Sequence, residues 1–299
     1  MAAAEEGADR QARLATLERT LAKALTEVVI RLDLSDDGAI APQATMEVLE
    51  PVIALLQEGD RAVLGDGLGS RLMSSRSPHL RLKRLKAPAA PKLPSSLAAA
   101  QFPEHDLEDD GTYRGLEFKG ADLTACRADA ADYEGCRFVT TSFSGAHLRR
   151  AGFIDVELQR CDLSNMTAMM SGMHRTQVSA SRLTGMTWSE CAFRDVIFDT
   201  CRADLAGFRF STFKNTVFRD CIMAEVNFQN ADLRGVRFER CDLSRAQFSQ
   251  AQMDGTHFSD CELLGIGGVT SLKGAIIKSA DAQGLLFALA GAMGILIAE

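Results

Sequence analysis

From Tyr113 to Leu263 a large apolar residue recurs at every fifth position, filling 28 of the 31 places in that register; Ala128, Ala168 and Ala203 are the exceptions. A helix repeats its buried face every 3.6 residues and a strand every 2, so neither explains a step of five. Thirteen of the sixteen phenylalanines lie on the register. Two residues before each large position stands a small or slender one, as in Ala121, Cys126, Ala131, Cys136, Thr141 and Ala146. Two inward residues separated by one outward residue make a short strand, and the polar residues that follow turn the chain to present the next pair. Repetition of this unit winds a solenoid. All seven prolines lie between Pro42 and Pro103, so none interrupts the ladder hydrogen bonds that stacked coils need.

The units "ADLTA" (121–125), "CDLSN" (161–165), "ADLRG" (231–235) and "CDLSR" (241–245) resemble the A-(D/N)-L-x-x pattern of the pentapeptide-repeat family. The resemblance implies a mainly β fold, a right-handed quadrilateral β-helix with four pentapeptides per coil, here over 104–264. A coil of twenty residues agrees with the sequence, where Cys161, Ser181, Cys201, Cys221, Cys241 and Cys261 follow at that interval and are expected to stack. At about 4.8 Å per coil the repeat makes a rod about 36 Å long. Across 165–188 the Asp or Asn before the central residue is missing, and Met166, Met173, Met186 and Trp188 take inward places. This predicts either a bulge or a methionine-rich stretch of core.

Eight cysteines raise the question of disulfides or a metal. There is no CxxC pair, the closest two are ten residues apart, and all eight occupy the small inward register. They read as free thiols filling an interior in a reducing compartment. His79, His105, His147, His174 and His257 form no metal-binding or triad spacing, and no glycine-rich phosphate loop is present. The aspartates before the central leucine belong to the repeat itself. The chain is expected to be non-enzymatic, with no cofactor and no metal.

The flanks divide into three. Residues 1–70 read as a helical module, with Leu14, Leu17, Leu21, Leu25, Val28 and Leu32 on one helical face and a second helix from Thr45 towards Gln57. The two pack as a hairpin, or the first pairs with its copy as a coiled coil. Between them "DLSDDGAIAPQA" (33–44) resembles an EF-hand loop, with Asp33, Ser35, Asp37, Gly38 and Ile40 in place, but Ala44 stands where the bidentate carboxylate belongs. It is read as degenerate and non-binding. Residues 71–103 form a basic Pro/Ser-rich linker, a solvated spacer whose nearest acidic counterpart is 104–111. Residues 265–299 are a C-terminal cap for the open solenoid end, with a helix from Ser279 to near Gly294 burying Leu285, Leu286, Leu289 and Met293 and then a strand, Ile295 to Ile297. Gyrase-protecting members of the family dimerise through such a segment, so the resemblance makes Leu285, Leu286 and Leu289 a candidate homodimer contact.

The formal charge of −7 is mild, the N-terminus lacks a secretory pattern, and the apolar stretch 284–298 falls short of the roughly twenty residues of a membrane span. A bacterial, cytoplasmic protein is expected, with no membrane partner. Within 113–264 there are 20 acidic and 18 basic residues. A DNA mimic needs persistent acidic columns, whereas one outward column here is basic: His174, Arg194, Lys214, Arg234. Outward apolar residues Ile197, Leu205, Phe210, Val217 and Ile222 make a candidate docking belt. The expected function is a protein–protein interaction scaffold with a partner of unknown identity; the alternative is a DNA-mimicking protector of DNA gyrase or topoisomerase.

Overall fold

Parallel ladders join residues twenty positions apart, and four such ladders wall a solenoid. The structure, a computed structural model, describes residues 86–102, 104–278 and 281–292; the N-terminal helical module, the EF-hand-like loop and the strand expected at 295–297 lie outside them. The first face stacks Thr112–Arg114, Asp132–Glu134 and Gly152–Ile154; the second stacks Leu116–Lys119, Arg137–Val139 and Glu157–Gln159. The third is a column of bridges, Asp122 to Ser142 to Asp162 and onward to Glu262. The fourth stacks Arg127–Asp129, His147–Arg149, Thr167–Met169 and Thr187–Ser189. Two longer strands, Gly172–Ser179 and Ala192–Asp199, run through the corner between the first and second faces. Where a bulge or a methionine-rich core was expected, the twenty-residue register holds, and Met166, Met173, Met186 and Trp188 are all buried.

The five-residue step has a local cause. Every corner carries a residue with positive φ, such as Asp155 at 56° and Asn215 at 52°, and at several corners an Asp or Asn three places earlier holds the turn. Asp162 Oδ1 accepts from the Ser164 N–H at 2.9 Å, Asp242 from Ser244 at 2.9 Å and Asn227 Oδ1 from Gln229 at 2.9 Å. These are Asx turns, so the recurring aspartates organise backbone. The small inward residues also bond between coils. Cys161, Cys201, Cys221, Cys241 and Cys261 donate their S–H to a carbonyl 23 residues earlier. Thr141, Thr176, Ser211 and Thr256 do the same with a hydroxyl. Burial pushes the Cys161 and Cys191 thiols up to about 11, which suits packing rather than reactivity.

All 31 positions of the large register are buried. Their rings stack coil on coil: Phe198, Phe218, Phe238 and Phe258 at 4.8, 5.2 and 5.1 Å, and Phe208, Phe228 and Phe248 at 5.3 and 5.6 Å. Among the described residues, four buried side-chain polar atoms are mismatched, on Tyr133, Thr184, Trp188 and Asp281. The Tyr133 hydroxyl has no hydrogen-bond partner, although its ring stacks on Tyr113 and Phe153. Tyr133→Phe is therefore expected to raise stability by about 1 kcal/mol, since an unpaired buried hydroxyl carries an uncompensated desolvation cost. Urea unfolding checks this, and a lower midpoint would show that the hydroxyl is satisfied.

Both ends of the second face are closed by short parallel pairs, Ala98–Ala99 on Leu116–Glu117 and Ile276–Ile277 on His257–Phe258. After them a 3-10 turn, Ala282–Leu285, leads into the helix Leu286–Ala292. Leu285 is buried in the core cluster, but Leu286 is 58% exposed and Leu289 is exposed as well. The cap thus buries one of the three leucines that the sequence presents as a set. Leu285 ends the 3-10 turn while the other two lie on the α-helix beyond it, so the change of helix type separates them.

Candidate interaction surfaces

Each pentapeptide turns the chain by one face, so residues five apart point to neighbouring faces and residues ten apart to opposite ones. This separates the apolar belt read from the sequence. Ile197 and Val217 are ladder partners on the second face. Leu205 and Phe210 sit at the two corners that flank the fourth face, opposite, and Ile222 lies on the third. Val217 is only 1% exposed; it is flanked in its ladder by Ile197 and by Arg237, whose Nη2 donates to the Lys86 carbonyl at 3.2 Å. An outward residue is not thereby an exposed one.

Leu205 and Phe210 remain conspicuous. They are 59% and 51% exposed and both have φ of 58°. Bulky residues in the left-handed region cost roughly 1–2 kcal/mol relative to the right-handed form, and half-exposed apolar side chains return little to the fold. Met169 and Met170, two coils earlier on the same face and its corner, are also exposed, and Met170 too has positive φ. The belt read from sequence omits these two methionines. Their signal is present in the twenty-residue arithmetic, which sets Met170 in the column of Phe210. On the coils that precede Leu205 and Phe210, the fourth face has a shallow depression of about 560 Å³ walled by Arg127, Asp129, His147, Arg149, Thr167 and Met169. The Arg209 guanidinium lies 5.5 Å over the Phe210 ring.

The basic column is real as a stack: His174, Arg194 and Lys214 are ladder partners, and Arg234 follows twenty residues on. Its charge is partly neutralised, because Arg234 makes a bidentate pair with Asp232 at 2.6 and 2.8 Å. Burial, Arg175 and Arg194 lower the His174 pKa. Acidic residues are tied across coils in the same way: Glu157 to Arg137 at 2.8 Å, Glu239 to Arg219 at 3.0 Å, Asp220 to Arg240 at 2.6 Å and Glu225 to Arg245 at 2.8 Å. Among the described residues, no group of three or more His, Cys, Asp or Glu comes together to hold a metal ion, and no helix is long and apolar enough to cross a membrane.

One corner is covered. Residues 86–94, part of the segment read as a solvated spacer, lie along the junction of the first and second faces. Ala89 N–H donates to Asp195 Oδ1 at 3.2 Å and Lys92 N–H to Asp155 Oδ1 at 2.9 Å. Arg175 holds the Asp155 carboxyl below the ordinary carboxylate range; burial opposes it, and the Lys92 N–H and His174 assist. For Asp195 burial pushes upward, but Asn215, the Ala89 N–H, Arg194 and His174 together bring it below the ordinary value. Carboxyls depressed in the folded state stabilise it above their unfolded value of about 3.9, and that contribution is lost as pH falls through the lower folded values. The intact chain is therefore expected to lose more stability between about pH 4 and about pH 2 than an Asp155→Ala/Asp195→Ala chain. Denaturant midpoints at both pH values test this; parallel losses would contradict it.

Residues 129–165, 202–240 and 221–260 match the family profile described as pentapeptide repeats, with 8 copies. No curated protein sequence matches the chain. Among solved structures, HetL, a pentapeptide repeat protein involved in heterocyst differentiation regulation from the cyanobacterium Nostoc, is 17% identical, with 57% of this chain and 91% of that one covered and a TM-score of 0.26. A trypsin-treated variant of QnrB1, a plasmid-mediated fluoroquinolone resistance protein, is 17% identical over 63% and 100%, with a TM-score of 0.32. Rfr23, a pentapeptide repeat protein from the cyanobacterium Cyanothece, is 10% identical over 58% and 94%, with a TM-score of 0.19.

Proposed function

From a chain that carries the pentapeptide repeats of that family on a four-faced parallel solenoid, we propose a non-enzymatic protein that works as a protein–protein interaction scaffold, docking its partner on the fourth face. The observation that supports this most directly is the pair Leu205 and Phe210. Both are apolar, exposed and held in a backbone conformation that favours glycine. These costs, at two corners of one face, are offset if a partner covers them. Met169, Met170 and the depression on the preceding coils extend the same surface.

The ion pairs argue against the DNA-mimic alternative. Such a protein presents uncompensated negative charge along its axis, while Glu157, Glu239, Asp220 and Glu225 each face an arginine one coil away. Substituting glycine at both Leu205 and Phe210 separates binding from folding. The double variant is expected to match the parent in stability or exceed it by about 1 kcal/mol, because glycine relieves the left-handed strain at a smaller entropic cost. In crosslinking from the source cells it is expected to lose partners that the parent captures. Retention of every partner by a stable double variant would refute docking on this face.

A further inference from the structure

The covered corner has a regularity that a mere tether does not need. Pro88, Pro91 and Pro94 are three residues apart, and each of the first two is followed by the residue whose N–H reaches the solenoid, Ala89 to Asp195 and Lys92 to Asp155. A polyproline II helix advances three residues in about 9.3 Å. The two acceptors are forty residues apart, hence two coils, about 9.6 Å along the axis. The polyproline II pitch and the pitch of the solenoid therefore match to within a few tenths of an ångström, which fits the two N–H groups three residues apart to equivalent carboxylates two coils apart.

The groove is built for this occupant. The carboxylates of Asp155 and Asp195 are 10% and 17% exposed. Between them Arg175 forks onto Asp155 at 2.5 and 2.6 Å and leaves Asp155 Oδ1 placed for the Lys92 N–H. Asn215 Nδ2 bonds both Asp195 Oδ1 at 2.5 Å and the Ala87 carbonyl at 3.3 Å, reading the strap's acceptor as well as its donors. At the far end Gly135 leaves room for Pro94, whose Cδ would stand 3.1 Å from a Cβ there. Free backbone donors in step with two carboxylates, a carbonyl within reach of an amide, and a glycine under a proline together make a recognition site for extended, proline-spaced peptide.

We propose that the corner formed by Asp155, Asp195, Asn215 and Gly135 is a polyproline II docking groove, filled in cis by residues 87–94, for which a proline-rich segment of a partner with prolines at every third position competes. It deepens the scaffold reading by giving a second surface its ligand chemistry, and it fails or stands separately, because its probe does not touch the fourth face. The probe is a synthetic peptide of residues 87–96, APAAPKLPSS, offered to the full chain in which 87–94 are replaced by a Gly/Ser segment of equal length. Saturable binding is expected there, at least tenfold weaker to the intact chain and at least tenfold weaker when Asp195→Ala is added to the opened chain. Equal binding of a scrambled peptide, or no binding to an opened chain that shows native circular dichroism, overturns the proposal. Should the opened chain not fold, trypsin cleavage after Lys92 in the otherwise intact chain decides. Asp155→Ala/Asp195→Ala is expected to accelerate it at least fivefold, and an unchanged rate overturns the proposal.

Discussion

Replacing Phe228 with alanine is expected to cost about 3–5 kcal/mol, at the upper end for a core aromatic. Phe228 is fully buried, stacked on Phe208 at 5.3 Å and on Phe248 at 5.6 Å, and met edge-on by Phe218 at 6.0 Å and Phe238 at 5.7 Å. In a globular core neighbouring elements shift inward to shrink such a cavity. Here the backbone is pinned on both sides, since Phe228 N–H donates to the Gln247 carbonyl and Asn227 N–H to that of Ala206, each at 2.8 Å. The coils cannot close up without breaking ladders, so the void persists and its lining loses contacts outright. Denaturant unfolding gives the midpoint shift; a loss below about 1.5 kcal/mol would mean that the solenoid relaxes far more than its ladders suggest.

The second large effect is chemical. Cys241→Asp is expected to destabilise by about 4 kcal/mol or more, while Cys241→Ser stays within about 1 kcal/mol of the parent. Cys241 is buried, and its S–H donates to the Phe218 carbonyl at 3.4 Å. A hydroxyl keeps that donor, as Ser211 does towards the Trp188 carbonyl at 3.0 Å in the equivalent place. An aspartate brings a carboxylate facing carbonyl oxygens, with neighbouring inward cysteines one coil away on either side and no cation, and must either stay charged and unpaired or take up a proton. Thermal melts of the two variants side by side make the test. Similar losses in both would show that size, not charge or donor character, governs the position.

Much of this was legible in the sequence because the interactions repeat. Asp162 and Asp242 hold their turns over two residues, and Phe218 meets Phe238 one coil on, so a contact at one unit is written again at the next. The candidate surfaces were harder. Leu205 and Phe210 stand out as apolar corner residues in the sequence, but outward polarity alone groups Ile197 and Val217 with them, although ten-residue arithmetic places these opposite. Leu285 and Leu286 are adjacent in the chain, yet one is buried and the other exposed, because the 3-10 turn ends between them.

By itself, the sequence determined which side chains point inward and which residues stack, since both follow from steps of five and twenty that every coil shares. Only the tertiary structure decided which outward residues are covered, and it laid 86–94 on the Asp155–Asp195 corner through bonds spanning 63 to 151 positions. That contact joins a segment with a three-residue proline spacing to a column with a twenty-residue spacing. The two periods coincide only in ångströms along the axis, and axial distance exists once the coil is wound.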